Sequence, residues 1–280
     1  MDRKQPSRTA FGAAAYRAAH QVLDAGDVFR DQMALAILDP EAPVMVERIS
    51  ASLGSKAIRN FIAARSRYAE DCLDAAVARG VRQIVVLGAG FDTFALRNPH
   101  AHLGVQVFEV DHPATQAWKR QRLLDLGFAP PRLIAFVAVD FETCSLGEGL
   151  LASELDAARP AFFLWLGVGP YLHRAAIDTK LGFISALPQS EVVFDYSEHL
   201  ESYTAEHRAE VSELEARAAS FEEPWLTHFE PGEIRRELEA CGFAEQEDLD
   251  VAASAQRYPG ASTQAGASGD GPHVIHARRT

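Results

Sequence analysis

The chain has 280 residues, 48% of them hydrophobic, enough to bury the core of one large α/β domain rather than two separate ones. Its formal charge of −12, with a pI near 5.3, provides no field to attract phosphates and so disfavours a nucleic-acid partner. The longest apolar run, residues 161–172, is too short to span a bilayer, residues 1–8 lack the apolar centre of a signal peptide, and the three cysteines have no paired spacing; a cytoplasmic protein with reduced thiols at Cys72, Cys144 and Cys241 is expected.

The first eighty residues read as helical, with apolar spacing through 11–23, 33–38 and 57–78. Residues 82–87 follow as a continuous apolar run, the pattern of a parallel strand covered on both faces. This strand ends at Gly88-Ala89-Gly90, where two glycines allow a sharp turn and close approach of a ligand, and Asp92 or Thr93 can cap the short helix beyond. A second strand, 105–110, delivers Glu109 and Asp111 about 20 residues after the turn, where a carboxylate can accept from both hydroxyls of a ribose; Asp111 is assigned that role. A dinucleotide site usually has a third glycine three residues after the second, for close helix packing beneath a pyrophosphate, and Thr93 stands there instead. A nucleoside ligand without phosphates, such as S-adenosylmethionine, does not need that packing.

Beyond the acid, 112–126 reads as a helix, 132–139 as a third strand ending in Asp140-Phe141, and 160–166 as a fourth strand opening into Gly167-Val168-Gly169-Pro170-Tyr171. A fifth strand, 191–196, leads into an acid-rich helical segment, 198–222. Pro231 begins a helix through Ala240; 243–251 and 272–277 read as the last two strands, and the Gly-, Ser- and Ala-rich stretch 258–271 between them as a flexible loop. No internal repeat is visible.

Three segments in order, Val-Val-Leu-Gly-Ala-Gly-Phe-Asp-Thr-Phe-Ala-Leu-Arg (85–97), Phe-Glu-Val-Asp-His-Pro-Ala-Thr-Gln-Ala-Trp-Lys (108–119) and Val-Ala-Val-Asp-Phe (137–141), resemble the S-adenosylmethionine-dependent methyltransferases that include the leucine carboxyl methyltransferases and their bacterial relatives. The likeness runs from about Thr9 to the region of Phe243. It implies a doubly wound, Rossmann-like seven-stranded sheet with an antiparallel last strand and a helical N-terminal cap. The implied divisions are a cap over 1–80, a cofactor-binding core over 81–197, a helical substrate-side insertion over 198–230, and a final helix and strand pair over 231–280. S-adenosyl-L-methionine is the implied cofactor, held by Arg65, Gly88, Ala89, Gly90, Asp111, His112, Asp140, Phe141 and the position of Leu166. Arg65 would pair with the carboxylate of the methionine moiety, whereas Arg67 also reads as part of a solvated helix face. Asp140 and the backbone N–H of Phe141 would meet the adenine; Asp140 could equally cap a loop. Many relatives carry a glutamate where Leu166 stands, so its contact with the cofactor's amino group must here be absent or supplied by another group. Tyr171 matches a tyrosine beside the substrate, and could orient a substrate oxygen or simply pack.

These features imply in-line methyl transfer to a carboxylate or hydroxyl of a small molecule, with no nucleic-acid or membrane partner. A carboxylate needs no general base; for a hydroxyl the candidates are His112, His173, His199 and Tyr196. His100 and His102 have no third ligand nearby in the sequence, so no metal is assigned. Two other readings stand beside this one: a cofactor-binding but catalytically silent protein, suggested by Leu166, and an NAD-dependent oxidoreductase, opposed by Thr93, the helical cap and the antiparallel last strand.

Overall fold

The computed structural model describes residues 5–38, 40–52, 54–128, 132–141, 145–261 and 271–279. Cys144 and most of the Gly/Ser/Ala-rich loop, 262–270, lie outside the described residues. Seven strands form one sheet: β1 (Gln83–Leu87), β2 (Gln106–Asp111), β3 (Ile134–Ala138), β4 (Ala161–Trp165), β5 (Glu191–Ser197), β6 (Glu245–Leu249) and β7 (Pro272–Arg278), in the spatial order β3-β2-β1-β4-β5-β7-β6. The first five run parallel; β7 is antiparallel to both neighbours, as the resemblance implies.

β1, β4 and β5 are buried along their whole length. Alternation along the strands divides their side chains between the two faces of the sheet. Val85, Leu87, Phe163 and Trp165 join a core with the helices α8 (Arg174–Ala186) and α10 (Pro231–Ala240) through Ile177, Leu181, Ile184, Ile234 and Leu238. Ile84, Val86, Phe162 and Leu164 join the opposite core with the long helix α4 (Ser55–Ala78) through Tyr68, Leu73 and Ala76. The chain passes from β1 to β2 on one side and returns to β4 on the other, so a cleft opens at the carboxyl ends of β1 and β4, where ligands bind in doubly wound sheets.

Ahead of β1 stand α1 (Arg8–Leu23), α2 (Ala34–Leu38), α3 (Ala42–Ala51) and α4. α3, which starts at Ala42-Pro43, is an addition to the helices read from the sequence. Ala14, Ala15, Ala18 and Ala19 make one face of α1 small, and it packs on Ile37, Leu38, Val46 and Ile49. Three aromatic rings then fix this layer to the glycine turn, Phe11 lying 4.4 Å from Phe91 and 4.8 Å from Trp118, with Phe91 and Trp118 4.6 Å apart. Short helices α5 (Phe94–Arg97) and α7 (Leu146–Ala152) and the helix α6 (Pro113–Asp125) complete the links between the first four strands.

At the far edge the expected strand 243–251 is shorter. β6 stops at Leu249 because Asp250 caps a further helix, α11 (Val251–Arg257), accepting from the Ala253 N–H at 2.6 Å. The acid-rich segment 198–222 contains a turn at Leu200–Ser202 and then α9 (Ala205–Ala219). Among the described residues no helix is long and apolar enough to cross a membrane.

Candidate functional site

A cavity of about 1620 Å³ opens over the carboxyl ends of β1, β2, β4 and β5, roofed by α1, α3, α4 and α9. Its floor is the glycine turn. Gly88 has φ +60°, and a Cβ there would lie 2.3 Å from Val168 Cγ2, so a side chain is barred both by conformation and by the β4 loop. Gly90, at φ +46°, donates its N–H to the Asp111 carboxylate, while the Ala89 N–H donates to Val110 O at 3.0 Å. Asp92 caps α5, accepting from the Phe94 N–H at 2.7 Å. Thr93 is engaged elsewhere, its buried hydroxyl donating to Asp31 Oδ2 at 2.7 Å, and Asp31 also meets Arg17 and Arg97, each at 3.3 Å. Where a dinucleotide site would have its third glycine, this chain has a tie to its own cap.

The two acids at the end of β2 separate cleanly. Glu109 is buried and forms an ion pair with Lys119 at 2.7 Å, away from the cavity wall. Asp111 lines the cavity, accepting from the His112 N–H at 2.6 Å as well as from Gly90. Burial raises the Asp111 carboxyl above its ordinary range, against the lowering influence of those two N–H groups and Lys119. A carboxylate has about four acceptor directions, so two remain for a ligand. His112 caps α6 with Nδ1 accepting from Ala114 N–H at 3.3 Å, and it also lines the cavity. The Val139 N–H donates to Asp111 O at 2.9 Å, which holds the end of β3, and so Asp140 and Phe141, on the same wall.

Arg65, on α4, lines the same cavity as Asp111. Its Nη1 is 2.5 Å from Asp195 Oδ2 of β5, both residues are buried, and both line the cavity. Arg65 Nε is buried with no partner among the described residues. Asp195 Oδ1 accepts the Gly167 N–H at 2.5 Å, so the loop after β4 is pinned to β5. Leu166 lines the cavity and presents an apolar side chain there. Arg67 pairs with Asp71 at 2.8 Å on the exposed side of the same helix, a solvated face.

Tyr171 sits on the turn Gly169–Tyr171 with its hydroxyl facing Trp225 and Thr9, and burial raises it above the ordinary phenol range. Around it the cap is latched shut. Glu223 accepts from the Arg8 and Thr9 N–H groups, each at 3.0 Å, and from Ser7 Oγ at 3.1 Å, while the Arg8 guanidinium lies 4.2 Å above the Phe221 ring. A carboxylate at a helix N-terminus satisfies unpaired N–H groups and the dipole together.

The four candidate bases are not all brought to the cavity. His112 and His173 line it, as does His207 of α9, for which the sequence carries no motif. Tyr196 is buried in the sheet core, donating to Asp248 Oδ2 at 2.8 Å and stacked 4.8 Å from His273; burial and Asp248 raise its hydroxyl far above the ordinary phenol range, so it is no base. His199 lies outside the cavity lining, its ring 5.6 Å from that of His228. His100 pairs with Asp74 at 2.7 Å, and among the described residues no three His, Cys, Asp or Glu side chains gather as a metal site. Asp195, Asp31 and His207 are the participants missed in the sequence, as was the role of Glu223 in holding the start of α1. An acid inside the otherwise apolar run of β5 was the available signal for Asp195.

Fold and cavity together define a doubly wound α/β protein with a cavity beneath a helical cap at the switch point of its sheet. The sequence profile of leucine carboxyl methyltransferases matches residues 10–185, well over half of the chain. The chain belongs to the leucine carboxyl methyltransferase family. It is 36% identical over 190 residues to a Bacillus subtilis protein named "Putative S-adenosyl-L-methionine-dependent methyltransferase YktD", covering 66% of this chain and 62% of that one. A Mycolicibacterium smegmatis protein with a similar name is 32% identical over 200 residues, covering 71% and 60%. The matched parts thus span less than two thirds of these relatives' lengths. Among solved structures, one titled a putative methyltransferase from Thermobifida fusca superposes with a TM-score of 0.61 at 16% identity, covering 100% of this chain and 97% of that one. A DUF574 family protein from Streptomyces avermitilis gives 0.57 at 15% identity, covering 96% and 97%. At such identities these two likenesses concern the fold.

Proposed function

We propose that the protein is an S-adenosyl-L-methionine-dependent O-methyltransferase acting on a carboxylate or hydroxyl of a small molecule. The observation that carries this reading is that Gly88, Gly90, Asp111 and Arg65 line one cavity, with Tyr171 and the latched cap on its other side. The residues fit the cofactor. Gly88 and Gly90 leave room for the nucleoside, the open acceptor directions of Asp111 suit a ribose, Asp140 and Phe141 suit adenine, and Arg65, with an unpartnered buried Nε, suits a carboxylate. When bound, S-adenosylmethionine supplies an electrophilic methyl group on a sulfonium.

The protein's part is to hold the acceptor in line and to exclude water. Glu223 and the α1 N-terminus close the cavity over Tyr171, whose raised pKa keeps its hydroxyl protonated and able to donate to an acceptor oxygen. The volume exceeds the roughly 300–1,000 Å³ of an ordinary small-ligand site, which accommodates cofactor and acceptor together. Met45, Ile49, Phe61, Leu214 and Trp225 favour an acceptor with an apolar or aromatic body, such as a small carboxylic acid or a phenol. A carboxylate attacks without help; for a hydroxyl, His112, His173 and His207 are the bases within the cavity. The net negative charge supports a small-molecule acceptor over a nucleic acid, and the unpaired spacing of the cysteines, which suits reduced thiols, supports the cytoplasm as its location.

Incubation with methyl-labelled S-adenosylmethionine and a panel of aliphatic acids, aromatic acids and phenols tests this reading. Label in an ester or ether is expected; cofactor binding with no transfer to any acceptor class would favour the silent alternative.

A further inference from the structure

Asp195 is the buried acid of the cavity that still lacks a ligand role. It sits at 5% exposure near the end of β5, beside the loop that follows β4. The other acids near the cofactor side have roles or partners of their own: Asp111 is assigned to the ribose and Asp140 to the adenine, Asp92 accepts from Phe94, Glu70 pairs with Arg97 at 2.7 Å, and Glu223 holds the start of α1. The amino-acid tail of S-adenosylmethionine carries an ammonium and a carboxylate on one carbon. An anion and a cation a few ångströms apart, facing the same space, would match both of these charges at once. Arg65 and Asp195 are such a pair, 2.5 Å apart with both residues in the cavity wall. Leu166, next to them, brings no charge to the ammonium. The Gly167 N–H occupies one direction of Asp195 Oδ1 and Arg65 one direction of Oδ2, which leaves acceptor capacity on each oxygen. Gly167 permits this approach, since a Cβ there would come within 3.0 Å of Arg65 Nη2.

Resting on the methyltransferase reading, we propose that Asp195 binds the ammonium group of the cofactor's methionine moiety, with Arg65 taking the carboxylate, so that the buried ion pair opens into a four-charge arrangement around the zwitterion. A buried ion pair is stabilising only when its geometry and extra hydrogen bonds offset desolvation, and a zwitterionic ligand supplies complementary charges to both partners at once.

Calorimetric titration with S-adenosylhomocysteine, its deaminated analogue and its decarboxylated analogue tests the assignment. Wild-type protein is expected to lose about tenfold or more in affinity when the ammonium is removed, the range of a charge-assisted hydrogen bond. In Asp195→Asn that preference for the amino group collapses toward unity, while the penalty for decarboxylation persists. If Asp195 merely braces Arg65, the variant instead loses the carboxylate preference and keeps the amino one, which would overturn the proposal, as would a wild-type protein indifferent to deamination. Should the single variant fail to fold, Arg65→Gln combined with Asp195→Asn removes both buried charges. Loss of the amino preference there supports the assignment, and its persistence refutes it. Failure of wild-type protein to bind S-adenosylhomocysteine at all would remove the methyltransferase reading and this inference together, and is distinct from binding without discrimination.

Discussion

Asp111→Ala offers the sharpest contrast with a neighbour on the same strand. Asp111 ends β2 facing the cavity and holds the Gly90 and His112 N–H groups, so its removal costs a ligand contact and unties the glycine turn. One charge-assisted hydrogen bond to a ribose hydroxyl contributes roughly 1.5–3 kcal/mol. At about 1.4 kcal/mol per tenfold, affinity for S-adenosylhomocysteine should fall by roughly 10- to 150-fold. The two freed N–H groups lie beside the cavity, where water can reach them, so the loss of folding stability should be smaller than the loss of binding. Glu109→Ala, two residues earlier, should behave in the opposite way. It strands Lys119 as a buried charge, with a stability cost of roughly 3–5 kcal/mol, and touches no ligand. Calorimetry and urea denaturation on both variants separate the two effects. Unchanged affinity in Asp111→Ala, or a larger affinity loss in a still-folded Glu109→Ala, would show that the ribose site is misplaced.

Gly88→Ala should cost about 1–3 kcal/mol from its left-handed backbone alone, with a further clash against Val168, so Val168→Ala should recover part but not all of the lost melting temperature. Glu223→Ala should loosen the start of α1 by about 1 kcal/mol, read as faster amide exchange at Arg8 and Thr9 and a several-fold weaker cofactor complex; undiminished protection would refute the latch. Burial alone would lower His273, but its bonds to Asp248 at 3.1 Å and Glu198 at 2.8 Å outweigh that and raise it. Its protonated form therefore stabilises the fold fully below the ordinary imidazole value of about 6.5, and that contribution is lost as pH rises through the raised folded value. The stability gap between wild type and His273→Gln, followed by urea denaturation across pH, should be widest in acid and narrow with increasing pH; a gap that widened would reverse the assignment.

Periodicity and punctuation made the sheet readable: the apolar runs of β1 and β4 and the Gly-x-Gly turn are local signals, and all seven strands fall close to where alternation and turn residues place them. The edge was less legible. β6 is an exposed, charge-rich strand whose end is set by Asp250 acting as a cap, and the apolar character of Val251 gave no warning of the change to α11. At the site, residues adjacent to motifs could be named from their neighbours in sequence. Those that depend on contacts across more than a hundred positions could not, as with Asp195 against Arg65 and Glu223 against Ser7. The candidate bases illustrate the same limit, since His199 and Tyr196 are as close to a strand end as His112 yet point elsewhere. Thr93 is the reverse case: its departure from glycine is visible in the motif, but its partner Asp31 belongs to the cap and was invisible there.

The cavity over β1 and β2 is expected to take an adenosyl ligand without phosphates. Calorimetric titration of the whole protein with S-adenosylmethionine, S-adenosylhomocysteine and NAD in parallel tests it most directly. Micromolar binding of the first two with no heat from NAD is the expected result, whereas binding of NAD alone, or of none of the three, would contradict it.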